Sequence, residues 1–448
     1  AAASKNALFR AADVIYYIIG SERMNLPADF MARMKTELGS EYDAFIAEYD
    51  KQPLHGLRAN TLKIAPHELS ELTGFCGEPV PWCESGFYYD GKKGGHAASA
   101  AGLFYSQEPS AQAAAELLGV RRGDIVLDLC AAPGGKSTQI ACALGGSGML
   151  VSNEITASRA KILCENVERM GITNSVVTNM RPDALAKHFR GFFDRIIVDA
   201  PCSGEGMFRK DAEAAAHWSL EHTYACAQRQ KNILRSAFEM LRGGGTLVYS
   251  TCTFSREENE EVCAEFSKEF PRMKLKKTVR IMPHREKGEG HFAAEFVKEE
   301  ETGKINIGCP QSADKETEKI YRAFERENLN VRLDGRFVSF GENLYLAPQN
   351  VPDLRGIKCL RPGIFLGEIR KGRLVPAHHL CMCLKAEDFK RTASLTEDEL
   401  CAYRRGESVF RACENGFGAA LYGGRYPVGW FKSSGGQLKN HYPKYLRG

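Results

Sequence analysis

Long apolar runs are missing from this 448-residue sequence. The longest one near the start, Val14-Ile-Tyr-Tyr-Ile-Ile19, is far shorter than the roughly 20 residues that a membrane-spanning helix needs. It also lacks the preceding basic region of a signal peptide. We therefore expect a protein that neither crosses a membrane nor is secreted, and that works in the cytoplasm.

The spacing of a disulfide framework or a zinc site is missing as well. The 15 cysteines are an odd number, none has a CxxC partner, and the closest two are Cys381 and Cys383. Regular spacing marks both structural zinc sites and disulfide-stapled folds. The sequence therefore predicts reduced, mostly buried thiols and no metal site.

Two common nucleotide-binding motifs are absent. The dinucleotide pattern GxGxxG does not occur. The run Gly135-Lys-Ser137 is similar to the end of a P-loop, but that motif needs a glycine where this chain has Cys130. The sequence thus argues against a nicotinamide dinucleotide site and a nucleoside triphosphate site.

Charge is present but unevenly distributed. The chain carries a net charge of +4, whereas the segment from Arg355 to the end has 17 Lys/Arg and 8 Asp/Glu. A basic segment attached to a near-neutral body is typical of proteins with a polyanionic partner. A solvated basic face without a partner is the alternative, and charge alone does not decide between them.

Short apolar runs alternate with helical patterns between residues 103 and 300. Such alternation predicts an α/β fold with a parallel sheet and right-handed crossovers. Closer to the N-terminus, apolar residues at helical spacing predict a helix over 31–49. The strands expected in the sheet cover residues 125–129, 149–154, 175–178, 195–199 and 246–250.

Changes in composition divide the chain into six parts. We expect an irregular leader or cloning scar, an α+β extension, the α/β catalytic domain, a polar linker, and two small β-rich domains. Their boundaries are 1–23, 24–100, 101–300, 301–319, 320–390 and 391–448. In the last two parts, short strands are expected at 331–333, 336–340, 344–346, 364–369, 419–422 and 428–431.

Two of the expected strands end in small-residue turns that carry a cysteine. Cys202 follows Pro201 just after the strand that ends at Asp199, and Cys252 follows Thr251. Open α/β sheets bind ligands beyond the carboxyl ends of their strands, so both thiols can face one pocket. A thiolate there suits attack on an electron-poor ring carbon, the chemistry needed to methylate carbon 5 of a pyrimidine.

A loop of small residues follows the first strand of the sheet. Small residues let the backbone approach a ligand, and the helix that begins near Lys136 offers free N–H groups and a positive dipole end. This suits the carboxylate of an amino-acid-like cofactor. Glu154 ends the second strand, where an acid can accept hydrogen bonds from both ribose hydroxyls of a nucleoside. Asp128 lies at the same edge, although capping of the turn explains it equally well.

These motifs together resemble the Nol/Nop/Sun family of RNA cytosine-5 methyltransferases. The resemblance runs through most of residues 24–300 and rests on residues 130–136, 199–204 and 250–254, with further matches at 58–60, 102–110 and 280–292. The tail, through residues 361–369 and 426–443, is similar to the RsmF branch of that family. That branch modifies small-subunit (16S) ribosomal RNA and ends in a PUA-like domain.

The resemblance implies a Rossmann-like methyltransferase core, S-adenosylmethionine as the methyl donor and RNA as the partner. Glu154 would hold the ribose, Asp199 would be the active-site acid, Cys252 the nucleophile, and Cys202 would assist product release. The cofactor loop would consist of Cys130, Ala131, Ala132, Pro133, Gly134, Gly135 and Lys136. The extension before residue 101 and the PUA-like domain after 391 would both bind RNA, and we expect a monomer.

Three points stay open at the level of sequence. DNA cytosine methyltransferases attack with a Pro-Cys thiol, so Cys202 is the alternative nucleophile. The acid that contacts adenine in the family aligns near Arg181, unless Asp183 takes its place. Transfer RNA is an alternative substrate, and an RNA-binding ribosome assembly factor without turnover is an alternative function.

Overall fold

The structure is a computed structural model that describes residues 26–91, 96–299 and 308–447. The expected leader, residues 1–23, lies outside the described residues. No helix within the described ranges is long and apolar enough to cross a membrane.

The N-terminal part combines short helices with a three-stranded antiparallel sheet in the order β2-β1-β3. The single helix predicted over 31–49 is instead two helices, because Gly39 adopts φ +54° between them. Both helices bury aromatic side chains, Phe30 and Phe45. The elements are α1 (Ala28–Leu38), α2 (Tyr42–Ala47), β1 (His55–Ala59), α3 (Pro66–Thr73), β2 (Gly86–Tyr89), α4 (Ala97–Ala100) and β3 (Phe104–Ser106).

The central part confirms the predicted α/β fold with a Rossmann-like sheet. Its strands β4 to β8 pair in parallel, and β10 and β9 add an antiparallel edge. The elements are α5 (Ala113–Leu117), β4 (Ile125–Asp128), α6 (Gly135–Leu144), β5 (Met149–Asn153), α7 (Ala157–Arg169), β6 (Ser175–Thr178), α8 (Pro182–Ala186), β7 (Phe193–Asp199), α9 (Ala212–His217), α10 (Leu220–Met240), β8 (Leu241–Thr251), α11 (Glu260–Glu269), β9 (Met273–Ile281) and β10 (His291–Lys298).

The C-terminal part contains a four-stranded and a five-stranded sheet. The strand expected at 331–333 does not form. The elements are α12 (Lys315–Asn328), β11 (Arg336–Phe340), β12 (Asn343–Ala347), β13 (Cys359–Arg361), β14 (Ile364–Arg370), β15 (Arg373–Pro376), α13 (His378–Met382), β16 (Thr392–Leu395), α14 (Glu397–Arg404), β17 (Val409–Phe410), β18 (Gly416–Tyr422), β19 (Tyr426–Ser434) and β20 (Gln437–Asn440).

Helix α12 begins inside the segment expected to be a linker. Asp314 caps it by accepting a hydrogen bond from the Thr317 N–H at 2.8 Å. The helix buries Tyr321 and Phe324 against the four-stranded sheet and the last domain. Most of its charged residues, which suggested a linker, lie on the opposite, solvated face, as is typical of an amphipathic helix, whereas Glu325 is buried.

A strand from the C-terminal part extends the central sheet. β13 pairs antiparallel with the edge strand β6, so the sheet order is β13-β6-β5-β4-β7-β8-β10-β9. Arg361 on β13 donates to Glu168 of α7 at 3.2 Å, and the Tyr445 hydroxyl donates to the same carboxylate at 3.1 Å. The C-terminal part is therefore joined to the central domain by backbone pairing and by a buried carboxylate.

Apolar packing also joins the N-terminal sheet to the last domain. One cluster of buried residues contains Leu57 and Phe104 together with Leu395 and Tyr403. A second cluster surrounds Trp430, whose Nε1–H donates to the Ala377 carbonyl at 2.8 Å. These shared cores fix the N-terminal sheet against the last domain and the two C-terminal sheets against each other.

Replacing Trp430 tests this packing. Trp430 is 1% exposed, whereas Phe410 in the same sheet is 77% exposed. We expect Trp430→Ala to lower the free energy of unfolding of the C-terminal part by about 3–5 kcal/mol, since it leaves a cavity. Phe410→Ala should change it by less than about 0.5 kcal/mol. Urea unfolding followed by circular dichroism measures both, and equal effects would contradict the packing described here.

Candidate active site

The site forms where parallel strands end at one edge of the central sheet. In the register of the sheet, Asp199 at the end of β7 lies beside Ser250 of β8. On the other side of β7, β4 ends at Asp128, and β5, the next strand, ends at Asn153. Because these strands run in parallel, the turns that follow them converge. Asp199, Glu154 and both cysteines, which the sequence singled out as site residues, therefore lie in one region of the structure.

An ion pair links the cofactor-type loop to the end of β7. Lys136 Nζ lies 2.7 Å from Asp199 Oδ2, and the Ser250 hydroxyl donates to Asp199 Oδ1 at 2.9 Å. Removal from bulk water by itself raises the pKa of Asp199, but the Lys136 charge and these hydrogen bonds outweigh it and lower the pKa below its usual value. Asp199 is thus a carboxylate whose side chain remains 36% exposed to a ligand.

The two cysteines predicted from the sequence are in contact. Cys202 Sγ lies 3.3 Å from Cys252 Sγ, and neither forms a disulfide. The hydrogen bond to Cys252, followed by burial, raises the pKa of Cys202 well above that of an ordinary thiol. Cys202 therefore keeps its proton and can donate it in a hydrogen bond to a neighbouring thiolate.

Two buried carboxylates hold the cysteine turns together. Glu258 accepts hydrogen bonds from the Ser203 N–H at 2.9 Å and hydroxyl at 2.5 Å, and the Ser203 hydroxyl lies 2.9 Å from that of Thr253. Glu205, in the first turn after Cys202, accepts from the Phe254 N–H at 2.9 Å. Each turn is thereby fixed through the residues next to its cysteine.

Gly206 allows the cysteine turns to pack backbone against backbone. A side-chain carbon at Gly206 would lie 2.8 Å from the Gly290 carbonyl oxygen and 2.9 Å from the Cys252 carbonyl oxygen. Real side chains essentially never approach backbone that closely. Any other residue at this position would therefore push the Cys252 turn away from the loop that precedes β10.

The loop after β4 has the backbone that the sequence predicted. Gly134 adopts φ +117°, a conformation that favours glycine, and α6 begins at Gly135. The first amide groups of a helix have no partner within it, so they are free to meet a ligand. Fully buried Arg58 of β1 donates to the Gly135 carbonyl at 2.7 Å and the Thr138 hydroxyl at 2.8 Å. The N-terminal domain thus supports the loop from behind.

Glu154 follows β5, and the next residue, Ile155, has a bulky apolar side chain. Glu154 is 3% exposed, and its Oε1 accepts a hydrogen bond from the Thr156 N–H at 2.8 Å. Ile155 is 59% exposed, which is unusual for a large apolar side chain. The side-chain amide of Asn179 donates to the carbonyls of both residues, at 2.7 Å and 2.9 Å. An acid beside an exposed apolar surface is a suitable environment for a nucleoside.

Arg181 and Asp183, the two candidates for the adenine contact, pair with each other. Arg181 Nε lies 3.0 Å from Asp183 Oδ1, and both side chains are largely exposed. Asp128, by contrast, is fully buried and accepts from the Ser137 hydroxyl at 2.7 Å. Burial raises its pKa to about 7, so Asp128 serves the start of α6 rather than the open part of the site.

The residue in the site that sequence reasoning did not single out is His291. It begins β10, is 4% exposed, and places Nε2 4.0 Å from Asp199 Oδ1. Among the described residues, neither of its ring nitrogens has a hydrogen-bond partner. Glu258 was missed as well. His291 lies in the segment 280–292 that resembles the family, but neither residue has a spacing that indicates its role, because the tertiary fold brings it to the site.

Comparison with known proteins identifies the family. Four family descriptions match in chain order: the N-terminal domain of 16S rRNA methyltransferase RsmF (residues 26–109), 16S rRNA methyltransferase RsmB/F (115–297), the RsmF first C-terminal domain (323–384) and the RsmF PUA domain (390–448). Ribosomal RNA small subunit methyltransferase F of Escherichia coli O157:H7 is 32% identical over 460 residues, covering 94% of this chain and 96% of the relative. The chain belongs to the RsmB/F family of 16S rRNA methyltransferases.

A further relative and two solved structures are also similar to this chain. The Vibrio cholerae O1 (strain M66-2) enzyme of the same name is 32% identical, over 94% of this chain and 98% of its own length. A methyltransferase homologue from Pyrococcus horikoshii is 26% identical with a TM-score of 0.56, covering 62% of this chain and 96% of that chain. NSun6 from the same organism, solved with SFG, shares the fold at 22% identity and a TM-score of 0.56, over 62% of this chain and all of its own.

Glu258 offers a test of how an RsmB/F site is held together. In Glu258→Ala the buried Ser203 N–H loses its acceptor, which should cost about 1–3 kcal/mol of stability. Methyl transfer should slow by up to about 100-fold, the cost of a displacement of roughly 1 Å in a reacting group. Glu261→Ala, at an exposed position in the first turn of α11 just after Glu258, is the matched control. Unfolding and methyl-transfer rates measured for both variants check this, and a Glu258→Ala enzyme as fast as the control would contradict it.

Proposed function

We propose that this RsmB/F enzyme transfers a methyl group from S-adenosylmethionine to carbon 5 of a cytosine in 16S ribosomal RNA, through a covalent bond to Cys252. The observation that carries the proposal is the position of the two thiols. They lie 3.3 Å apart at the same sheet edge as the Lys136–Asp199 ion pair. Methylation of an oxygen or an exocyclic nitrogen has no use for paired thiols, whereas addition to a pyrimidine ring requires one nucleophilic thiolate.

The residues present fit the proposed cofactor. When bound, S-adenosylmethionine supplies an electrophilic methyl group on a sulfonium. The first turn of α6 offers N–H groups and a positive dipole end to its carboxylate. Glu154 offers the ribose two acceptor oxygens, and the exposed side chain of Ile155 offers an apolar surface to the base. The backbone at Gly134 adopts the positive φ that lets the loop come close to a ligand.

Glu154→Ala tests the cofactor assignment. Loss of a charged hydrogen bond to the ribose should cost about 1.5–3 kcal/mol of binding free energy. Calorimetry should therefore show an affinity for S-adenosylmethionine that is about tenfold weaker or worse. Glu165→Ala, on the helix that follows, is the control and should bind normally. Unchanged affinity in Glu154→Ala would rule out the ribose contact.

The raised pKa of Cys202 supports different roles for the two thiols. Cys202 holds its proton and donates toward Cys252, so it favours Cys252 as the thiolate. Cys252 Sγ then attacks carbon 6 of cytosine, and the electron density pushed onto carbon 5 takes up the methyl group. The S–H group of Cys202 stabilises the thiolate of Cys252 again when the enzyme is released.

Asp199 and Lys136 are positioned to bind the ring as its charge changes. The Asp199 carboxylate can accept a hydrogen bond from the amino group of the cytosine. That interaction stabilises the electron-poor ring that the thiolate attacks. Lys136 keeps Asp199 ionised at 2.7 Å and holds it beside the cofactor loop. Both side chains thus contribute to orientation as well as to charge.

The C-terminal part supports RNA binding through lysines rather than aromatic stacking. Tyr422, Tyr426 and Trp430, aromatic residues close to basic ones in the sequence, are at most 7% exposed and so belong to the core. Lys432 and Lys439 are exposed and lie directly opposite each other on β19 and β20. Like charges in such a pair destabilise a sheet, so this arrangement suits contact with phosphates. The target base must leave its stack to reach the thiols, which favours single-stranded or bulged RNA.

The cysteine variants test the covalent mechanism and the assignment of attack to Cys252 and of release to Cys202. Cys252→Ala should be inactive and form no adduct, because it lacks the nucleophile. Cys202→Ala should accumulate a covalent protein–RNA complex that survives a denaturing gel, because release is impaired. Cys401→Ala, an exposed thiol of the last domain, is the control. The reverse pattern would exchange the two roles, and no adduct from either variant would count against covalent catalysis.

Bisulfite sequencing of RNA from cells with and without the protein tests the substrate. We expect one or more 5-methylcytosines in 16S ribosomal RNA to disappear without the protein and to return with the wild-type gene. Methylated positions lost from transfer RNA instead would replace the proposed substrate. Unchanged methylation everywhere would point to an RNA-binding assembly factor without turnover.

A further inference from the structure

Release of the methylated base requires a proton acceptor. After methyl transfer, carbon 5 carries both the new methyl group and its original hydrogen, and carbon 6 is bonded to Cys252 Sγ. The carbon 5 proton must leave so that its electron pair can form the C5=C6 double bond. The C6–S bond then breaks and Cys252 departs as a thiolate. The reaction therefore needs one group that takes a proton and one that stabilises the departing thiolate.

Cys202 fits the second task and not the first. Its Sγ lies 3.3 Å from Cys252 Sγ, within reach of a hydrogen bond to the departing sulfur. It retains its own proton, because the neighbouring sulfur and burial both raise its pKa. A thiol in this state is a donor. Another side chain must accept the carbon 5 proton.

We infer that His291 accepts this proton on Nε2, an inference that rests on the proposed cytosine-5 chemistry. His291 is 4% exposed, and neither ring nitrogen has a protein partner within the described residues. A buried ring with two unused nitrogens is costly unless something binds there, since unpaired polar groups lose their hydration. The protonated ring would lie 4.0 Å from Asp199 Oδ1, which stabilises the positive charge that forms.

The sheet places His291 on the thiol side of the reacting base. Phe292 of β10 lies opposite Thr251 of β8, so the next pair in this antiparallel register brings His291 beside Cys252. The Gly290 and Cys252 carbonyl oxygens both lie within 3 Å of the space a side chain on Gly206 would fill. His291 thus follows directly on backbone that packs against the nucleophile's turn.

The order of the strands explains why the carbon 5 proton is displaced toward the side of the base that faces Cys252 and His291. From the cofactor loop after β4, the sheet runs through β7 with Asp199 and β8 with Cys252 to β10 with His291. A base held at Asp199 receives the methyl group from the cofactor side and the thiolate from the other. As the methyl group bonds to carbon 5, the hydrogen there bends away from the cofactor, toward Cys252 and His291.

The charged groups around His291 keep its ring available as an acceptor. Burial and the Lys136 charge lower its pKa to about 4, while Asp199 and Glu108 oppose that shift. At neutral pH the ring is therefore uncharged and has a free lone pair. Asp199 is less suited to this step, because it is already paired with Lys136 and accepts from Ser250.

RNA that carries tritium on carbon 5 of its cytosines provides a direct measurement. Tritium released to water reports cleavage of the carbon 5–hydrogen bond, labelled methyl groups report transfer, and denaturing gels report the adduct. In His291→Asn we expect the methylated adduct to accumulate although Cys202 is intact. Tritium release should fall by about 100-fold, the usual contribution of a general base, while the adduct forms at nearly the wild-type rate.

A matched control uses a second buried histidine. His284, whose Nε2 lies 3.0 Å from Glu41 outside the site, should release tritium normally as His284→Asn. Calorimetric binding of S-adenosylmethionine verifies the fold of each variant, and His291→Gln replaces His291→Asn if that variant does not fold. Tritium release at the wild-type rate, or loss of adduct formation together with release, would overturn the assignment to His291. Absence of adduct and of tritium release in the wild-type enzyme would overturn the proposed function instead.

Discussion

Parallel pairing of β7 with β8 is the constraint on which the rest of the site depends. It places Asp199 beside Ser250, and the turns that follow these residues carry Cys202 and Cys252 to within 3.3 Å of each other. Because parallel strands end at the same edge, a long stretch of intervening chain has to cross over on a helix. That crossover is α10, whose Gln230 donates to both the Pro201 carbonyl and Glu258.

Charged and titratable groups next to this edge are held in different protonation states. Lys136 holds Asp199 ionised, whereas burial keeps Asp128 protonated up to about pH 7 and the His291 pKa near 4. These neighbouring groups are pushed toward different protonation states by different surroundings. Such divergence is characteristic of a site in which one group carries charge and another moves a proton.

The sequence predicted those helices and strands whose residues carry a strong local pattern. The five strands of the parallel sheet and the α/β fold were evident from short apolar runs between helical patterns. The break at Gly39, the start of α12 at Lys315 and the strand β13 were not. All of the residues of β13 are only partly buried, so their sequence has no alternating pattern, and the strand exists because the edge of β6 is available.

The sequence by itself determined the family resemblance, the fold class and the turns that carry Asp199, Cys202 and Cys252, because each is encoded by neighbouring residues in a fixed order. Only the tertiary structure decided which side chains face these turns. His291, Glu258 and Arg58 come from distant parts of the chain. Arg58 and His291 lie in segments that resemble the family, but those segments do not show that the two side chains reach this site. Their positions follow from the packing of whole domains, and a local sequence pattern does not encode contacts between residues that are far apart in the chain.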